Sequence, residues 1–400
     1  MFLILIMLKK NKISGRKKIL LGVFLSLVIL IGAHWVAGYG YLIRGVAFSY
    51  LRGQSGPGIN ESHLFHNNII ETQNPKPFAS SYKKNQAQLP TKDISTLKEI
   101  ETASFIVIKD DSIIFETYWN EFNQSTPTNS FSAAKSLVSL LVGVAIKEGH
   151  IKSVNQRVGD FLEEFKSGEK SKISIRNLLT MSSGLNWGES GKNPYSDNAK
   201  AYYGQNLRAH VNSLKVIEEP GKIFRYKSGD TQILVFVLEA ATGVSISDYL
   251  EEKIWRKIGA EQNATWDLDR ENGDEKGFCC LYAVARDYAK IGQLMLHKGK
   301  SNDQQIIPLE YLEKCIVPAK DVLEKDGSIN KRYGWQWWSA VYKKNTIHYA
   351  RGLLGQYIII YPQKKMVIVR TGKKRKKVHS DGHPADLWDY LRMGEFVANN

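Results

Sequence analysis

Strand-like sequence occurs at two places far apart in this chain, and that separation constrains the fold more than any other feature. Two alternating apolar runs, "ASFIVIKD" (Ala103 to Asp110) and "SIIFETYW" (Ser112 to Trp119), meet at Asp110 and Asp111, residues suited to a tight hairpin turn. Strand patterns then vanish until "YGWQWWSAVY", "GQYIIIYP" and "KMVIVRTG" near the other end. Between Ile151 and about Asn330 the text is helix and loop: "TQILVFVLEAATG" stops at Gly243 and "AVARDYAKIGQLMLHKG" at Gly299. A lone hairpin and three lone strands each leave an apolar face uncovered. Joining them into one antiparallel five-stranded sheet, flanked by helices, covers both, with 151–330 inserted as a mainly helical lobe. The expected class is α+β, with a site in the cleft between sheet and lobe. An amphipathic helix over about Pro384 to Phe396 closes the chain.

The net charge of +15 suggests a nucleic-acid partner until it is located. Eight basic residues lie in 1–60 with no acid before Glu61; the other 47 lysines and arginines against 40 acids leave +7. "GKKRKKVH" near the end reads as a solvated loop, so no nucleic-acid partner is expected. The uncharged run Ile19 to Ile43 is long enough to span a bilayer. The basic cluster Lys9 to Lys18 before it places the N-terminus inside and the body outside the cytoplasm. Segment 1–43 is thus a basic tail with a membrane anchor, or a cleaved signal, which would leave the protein secreted or periplasmic. The opening "MFLILIML" reads as an early start, with Met7 the natural one. Residues 44–100 form a turn-rich stalk, and 101–400 the main domain.

Several catalytic signatures are absent: no G-x-S-x-G elbow, no phosphate-binding P-loop, no H-E-x-x-H, no paired C-x-x-C. His379 and His383 in "HSDGH" read as solvated loop histidines, so no metal is expected. The three cysteines make no disulfide framework; adjacent Cys279 and Cys280 rarely bond each other and read as small buried hydrophobes.

What remains is Ser132 and Lys135 in "NSFSAAKSLVSLLVGVAIKEGH". The pattern S-x-x-K occurs seven times, but only Ser132 opens a long apolar helix. At i and i+3 the two side chains share a face, so an amine reaches a hydroxyl. The helix N-terminus favours an oxyanion, and a dry surrounding lets a lysine act as base. The plain alternative, Ser132 as a helix cap and Lys135 in solvent, stands equally from this segment alone. Two further elements add weight. Tyr226 and Ser228 in "PGKIFRYKSGDTQ" point one way just before a helix, where a phenol can shuttle protons. Gly352 and Gly355 in "YARGLLGQYIIIYP" frame the start of a strand and permit close backbone approach.

Together these stretches, with "IRNLLTMSSGLNW", "FCCLYAVARDYAKIGQLML" and "RYGWQWW", resemble the serine beta-lactamase and penicillin-binding superfamily. The likeness is strongest to its class C, esterase-like branch of the 6-aminohexanoate-dimer hydrolase type, over roughly Ala103 to Phe396. The resemblance implies a beta-lactamase/transpeptidase-like fold, with Ser132 as acylated nucleophile, Lys135 as its partner and Tyr226 as general base. It implies an oxyanion hole from the N–H groups of Ser132 and Leu353, and substrate contacts at Ser228, Arg351 and Gly352. In K-T-G terms the strand reads Ala350-Arg351-Gly352, so the lysine that grips a beta-lactam carboxylate is missing. Trp187, Tyr203 and Trp337 are candidate cleft aromatics.

The expected activity is hydrolysis of a small ester, amide or short peptide through a Ser132 acyl-enzyme, without cofactor or metal. The rival readings are a D,D-peptidase acting on cell-wall peptides and a non-catalytic membrane-tethered sensor of the same fold. Natural substrate and oligomeric state are left open by the sequence.

Overall fold

The computed structural model describes residues 15–191, 193–379 and 381–400, in two compact units, one ending at Gly56 and one beginning at Pro57. In the first, helices α1 (Gly15–His34) and α2 (Gly40–Phe48) flank a wider turn, Trp35–Tyr39, where Gly38 takes φ 83°. This apolar stretch has the length and composition shared by membrane anchors and signal sequences. Met7 and Lys9 to Lys12 lie outside the described residues.

The second unit carries the expected α+β architecture, with helix α3 (Thr91–Glu99) leading into its main sheet. Its strands are β1 (Asn67–Ile70), β2 (Ala79–Ser80), β3 (Thr102–Lys109), β4 (Ser112–Tyr118), β5 (Thr128–Asn129), β6 (Ala264–Asp267) and β7 (Leu281–Ala283). A small hairpin follows, β8 (Lys300–Ser301) and β9 (Gln304–Gln305), then β10 (Trp338–Tyr342), β11 (Asn345–Gly352), β12 (Gln356–Tyr361) and β13 (Met366–Gly372). The main sheet has seven strands, not five, in the order β10-β11-β12-β13-β3-β4-β2. The junction of the two chain ends is β13 against β3, antiparallel, with Met366 opposite Lys109. The hairpin turns at Asp110 and Asp111, both at positive φ (45° and 62°), which matches the twist of the strands it joins.

Outside the main sheet, β1, β6, β7 and β5 pair in that order as a second, four-stranded sheet, so the span 151–330 is not helix and loop alone. Within the main sheet two strands were not anticipated. β11 is broken up by Asn345, Thr346, His348 and Arg351, which hide its alternation, and β2 is two residues long and parallel to β4. Gly352 therefore ends β11 rather than beginning a strand, and Gly355 stands immediately before β12.

Alternation along β13 places helices on both faces. Val367 meets α6 (Ala285–Leu296) and Ile368 meets α7 (Ala385–Asn399). Both helices present glycine at the contact: a Cβ on Gly292 would fall 2.4 Å from Val367, and one on Gly394 2.5 Å from Ile368. The glycines let helix and sheet approach closely. Glu116 on β4 is clamped by Arg286, at the start of α6, and by Lys84. Burial alone would raise its pKa, but hydrogen bonds from Arg286, Lys84 and Tyr118 outweigh that and hold it at about 2.

The helical lobe is built on α4 (Ala134–Lys147) packed against α5 (Ser228–Thr242). Both are apolar on nearly every side, as helices enclosed on all faces must be. α5 ends where expected, at Gly243 in the left-handed conformation.

Candidate active site

The site begins with Asn129, fully buried at the end of β5. Its Oδ1 accepts the Phe131 N–H (2.7 Å) and the Cys280 N–H (3.2 Å), while its amide donates to the Tyr282 hydroxyl (3.0 Å). These bonds hold Phe131 at φ 44°, a left-handed backbone rare for a bulky residue. A single 3-10 turn, Phe131–Ala133, then lifts Ser132 to a half-buried position ahead of α4.

Lys135 is 1% exposed, so it does not escape to solvent. Its Nζ donates to Ser132 Oγ at 2.9 Å and to the Phe278 carbonyl at 2.8 Å. It also stands 5.1 Å from the centroid of the Tyr226 ring. Among the described residues no carboxylate pairs with it, whereas enclosed charges ordinarily find a counter-ion. Tyr226 is half-buried and packs on Trp338 with ring centroids 5.7 Å apart; its hydroxyl has no hydrogen-bond partner among the described residues.

Ser228 opens α5 and is enclosed. Glu189 explains why: its carboxylate accepts the Ser228 N–H (2.7 Å), the Ser228 hydroxyl (2.8 Å) and the Trp187 indole N–H (2.7 Å). An anion at a helix N-terminus is favoured by the free N–H groups there. Trp187 lies against Gly229, where a Cβ would come within 2.5 Å of the indole. Behind this corner Lys227 and Asp230 lie 3.9 Å apart, both enclosed, and burial pushes Asp230 up to about 6 against the pull of the lysine.

On the sheet side Gly352 is pressed against the turn that leads into Ser132. A Cβ there would lie 2.1 Å from the Ser130 carbonyl and 3.1 Å from Phe131 Cβ. Leu353 follows, 39% exposed, with its carbonyl held by Gln356 Nε2 at 2.9 Å. Arg351 points to the other face of β11. Its guanidinium lies 3.7 Å from the Trp338 ring centroid and donates to the Gly382 carbonyl. It is therefore occupied beside Tyr226's neighbour rather than standing in the place of the absent K-T-G lysine.

The candidate aromatics separate. Trp337 is fully enclosed and offers no surface to a substrate. Tyr203 is half-buried, packed on Tyr202 at 4.8 Å. His383 is buried rather than solvated: it bonds the Tyr349 hydroxyl at 2.7 Å, and burial lowers its pKa to about 4. In the basic loop Lys373, Lys374 and Lys376 are ion-paired to Glu121, Glu101 and Asp389. Cys279 and Cys280 are joined by a disulfide, contrary to expectation. A turn that holds both on one side of the chain brings the sulfurs together, and sequence adjacency does not reveal that turn. Glu189 and the Phe278 carbonyl were also missed. The first is linked to Ser228 only through the fold, and the second is backbone, which carries no sequence signal.

A serine at the head of a buried helix is thus bonded to an enclosed lysine whose amine faces the ring of Tyr226. The beta-lactamase family model matches residues 91–389, and the chain belongs to that family. Among individual proteins, it is 24% identical to the 6-aminohexanoate-dimer hydrolase of Paenarthrobacter ureafaciens over 294 residues, 68% of this chain and 73% of the relative. A Bacillus anthracis structure described as a 6-aminohexanoate-dimer hydrolase superposes with TM-score 0.72 at 23% identity, covering 85% of this chain and 92% of the other. A family VIII carboxylesterase gives TM-score 0.62 at 15% identity, covering 83% and 99%.

Proposed function

We propose that this protein hydrolyses a small ester or amide through an acyl-enzyme on Ser132. The observation that carries the reading is the Ser132–Lys135 contact, with the lysine enclosed and held by a backbone carbonyl instead of a carboxylate. Such a lysine has no counter-ion among the described residues, which leaves its amine for the hydroxyl.

In this reading Ser132 Oγ attacks the carbonyl carbon and its proton passes to the Lys135–Tyr226 pair. The oxyanion rests on the N–H groups of Ser132 and Leu353, drawn together by the side-chain-free contact at Gly352. The leaving alcohol or amine takes the proton. Water then attacks the acyl-enzyme, giving its proton to the same pair, which passes it to Ser132 Oγ as the acyl bond breaks and the acid leaves. The chain's own residues supply each group the reaction requires, so neither metal nor organic cofactor is invoked. The relatives named above, a dimer hydrolase and a carboxylesterase, cleave amide and ester bonds, and the missing K-T-G lysine weighs against efficient binding of a beta-lactam carboxylate. The apolar stretch near the N-terminus acts as an anchor, the compact domain begins at Pro57 rather than after a stalk to residue 100, and that hydrolase domain faces away from the cytoplasm.

The test is mass spectrometry of the full chain after incubation with a fluorophosphonate and, separately, with a penicillin. An adduct on Ser132 with the first alone supports the ester/amide reading. A lasting penicillin adduct turns it to a cell-wall peptidase, and no adduct with either refutes the nucleophile.

A further inference from the structure

The segment Phe278–Tyr282 runs beside Asn129–Ser132 and supplies the second contact of Lys135. The Phe278 carbonyl receives Nζ at 2.8 Å. Two residues on, the Cys280 N–H reaches Asn129 Oδ1, the oxygen that also fixes Phe131, and Ser130 N–H donates to the Leu281 carbonyl at 2.8 Å. The Trp266 indole holds the Cys279 carbonyl at 2.8 Å. Between these anchor points lies the Cys279–Cys280 bond, with Cys280 at φ 68°, a region that favours glycine. The bond closes a ring across a single peptide. It thereby removes freedom from the one link that joins the lysine's carbonyl partner to the nucleophile's lead-in.

We infer that the Cys279–Cys280 disulfide is a positioning element for Lys135 and Ser132. It fixes the turn that sets the Phe278 carbonyl on the lysine and the Cys280 amide on Asn129, and the dithiol form is slower in acyl transfer. The inference rests on the reading of Ser132 and Lys135 as the reacting pair. The bond forms when two thiols give up two protons and two electrons to an exchanging disulfide such as oxidised glutathione, which leaves as two thiols. Both cysteines are enclosed, at 4% and 0% exposure, so the bond is set during folding and then shielded from reductant. Disulfides persist in oxidising compartments, which accords with a domain outside the cytoplasm.

Three measurements test this on the full chain. Unfolding in guanidinium with iodoacetamide and no reductant should alkylate one cysteine, Cys315, and three after dithiothreitol; three at the outset overturns the inference. Wild-type protein refolded with dithiothreitol should label at Ser132 with a fluorophosphonate roughly tenfold slower at saturation than protein refolded with oxidised glutathione, at similar half-saturation. Cys279→Ala combined with Cys280→Gly, where glycine takes the backbone conformation freely, should melt near wild type yet label as slowly as the dithiol. Wild-type labelling rates in either arm remove the positioning role alone. An oxidised wild-type protein that does not label at Ser132 removes the acyl-transfer reading itself.

Discussion

Replacing Gly352 by alanine puts the proposed oxyanion geometry under direct load. The added methyl would sit 2.1 Å from the Ser130 carbonyl and 3.1 Å from Phe131 Cβ. A carbon-to-oxygen contact needs about 3.2 Å, so the end of β11 and the Phe131–Ala133 turn must separate by about 1 Å, since the nearest atom is a backbone carbonyl that no rotamer change can move aside. Overpacking of this kind costs roughly 1–3 kcal/mol, a fall of several degrees in Tm. The larger effect is on rate. The same displacement draws the Leu353 N–H away from the Ser132 N–H, and a misplacement of about 1 Å costs on the order of 100-fold. The assay is kcat and KM on a chromogenic ester, with thermal melting of the same preparation. Gly159→Ala is the control, because a Cβ there would lie 2.6 Å from the Phe165 carbonyl, a comparable clash among residues with no proposed role. It should melt early and keep its kcat. A Gly352→Ala enzyme that melts early yet retains wild-type kcat would show that the Leu353 N–H takes no part, and the oxyanion assignment would fall.

Lys135→Ala should lower fluorophosphonate labelling of Ser132 by about 10²-fold or more, and unchanged labelling would remove the lysine from the reaction. Glu189→Ala should slow labelling by about tenfold and lower Tm, because three donors lose a charged acceptor; Glu189→Gln should recover part of both, and equal loss in the two variants would speak against the charge. Glu116 governs the acid limb of stability. Its folded-state pKa, about 2, lies below the ordinary 4.5, so its contribution is complete above pH 4.5 and is lost as pH falls towards 2. Glu116→Gln should flatten denaturation midpoints across that window, and a wild-type slope would refute the clamp.

The sequence disclosed what is local and hid what is assembled. The hairpin, its Asp110–Asp111 turn and the stop at Gly243 were legible because alternation, turn chemistry and capping act within a few residues. β11 was not, because its polar residues sit among interior neighbours only once the strand is paired on both sides. Ser132 and Lys135 stood out because everything behind them in α4 is packing. Trp337 lies in the core, and the sequence left core and cleft open for it because the two kinds of aromatic look alike in one dimension. Glu189 and the Phe278 carbonyl share one cause, a partner far along the chain, whereas the bond between the adjacent cysteines depends on a local turn that adjacency does not reveal.

Ser104 and Thr371, 267 positions apart, share a hydrogen bond in the middle of the main sheet. At about 5–20 residues per second of synthesis, β3 waits tens of seconds for the strand that covers its edge. Until then the hairpin is an open apolar template on the edge that β13 later covers. The domain cannot be completed in halves. Its closing step is the pairing of the two strands whose separation first implied the fold, which makes the last thirty-odd residues the point at which a truncation would leave the longest-lived sticky intermediate.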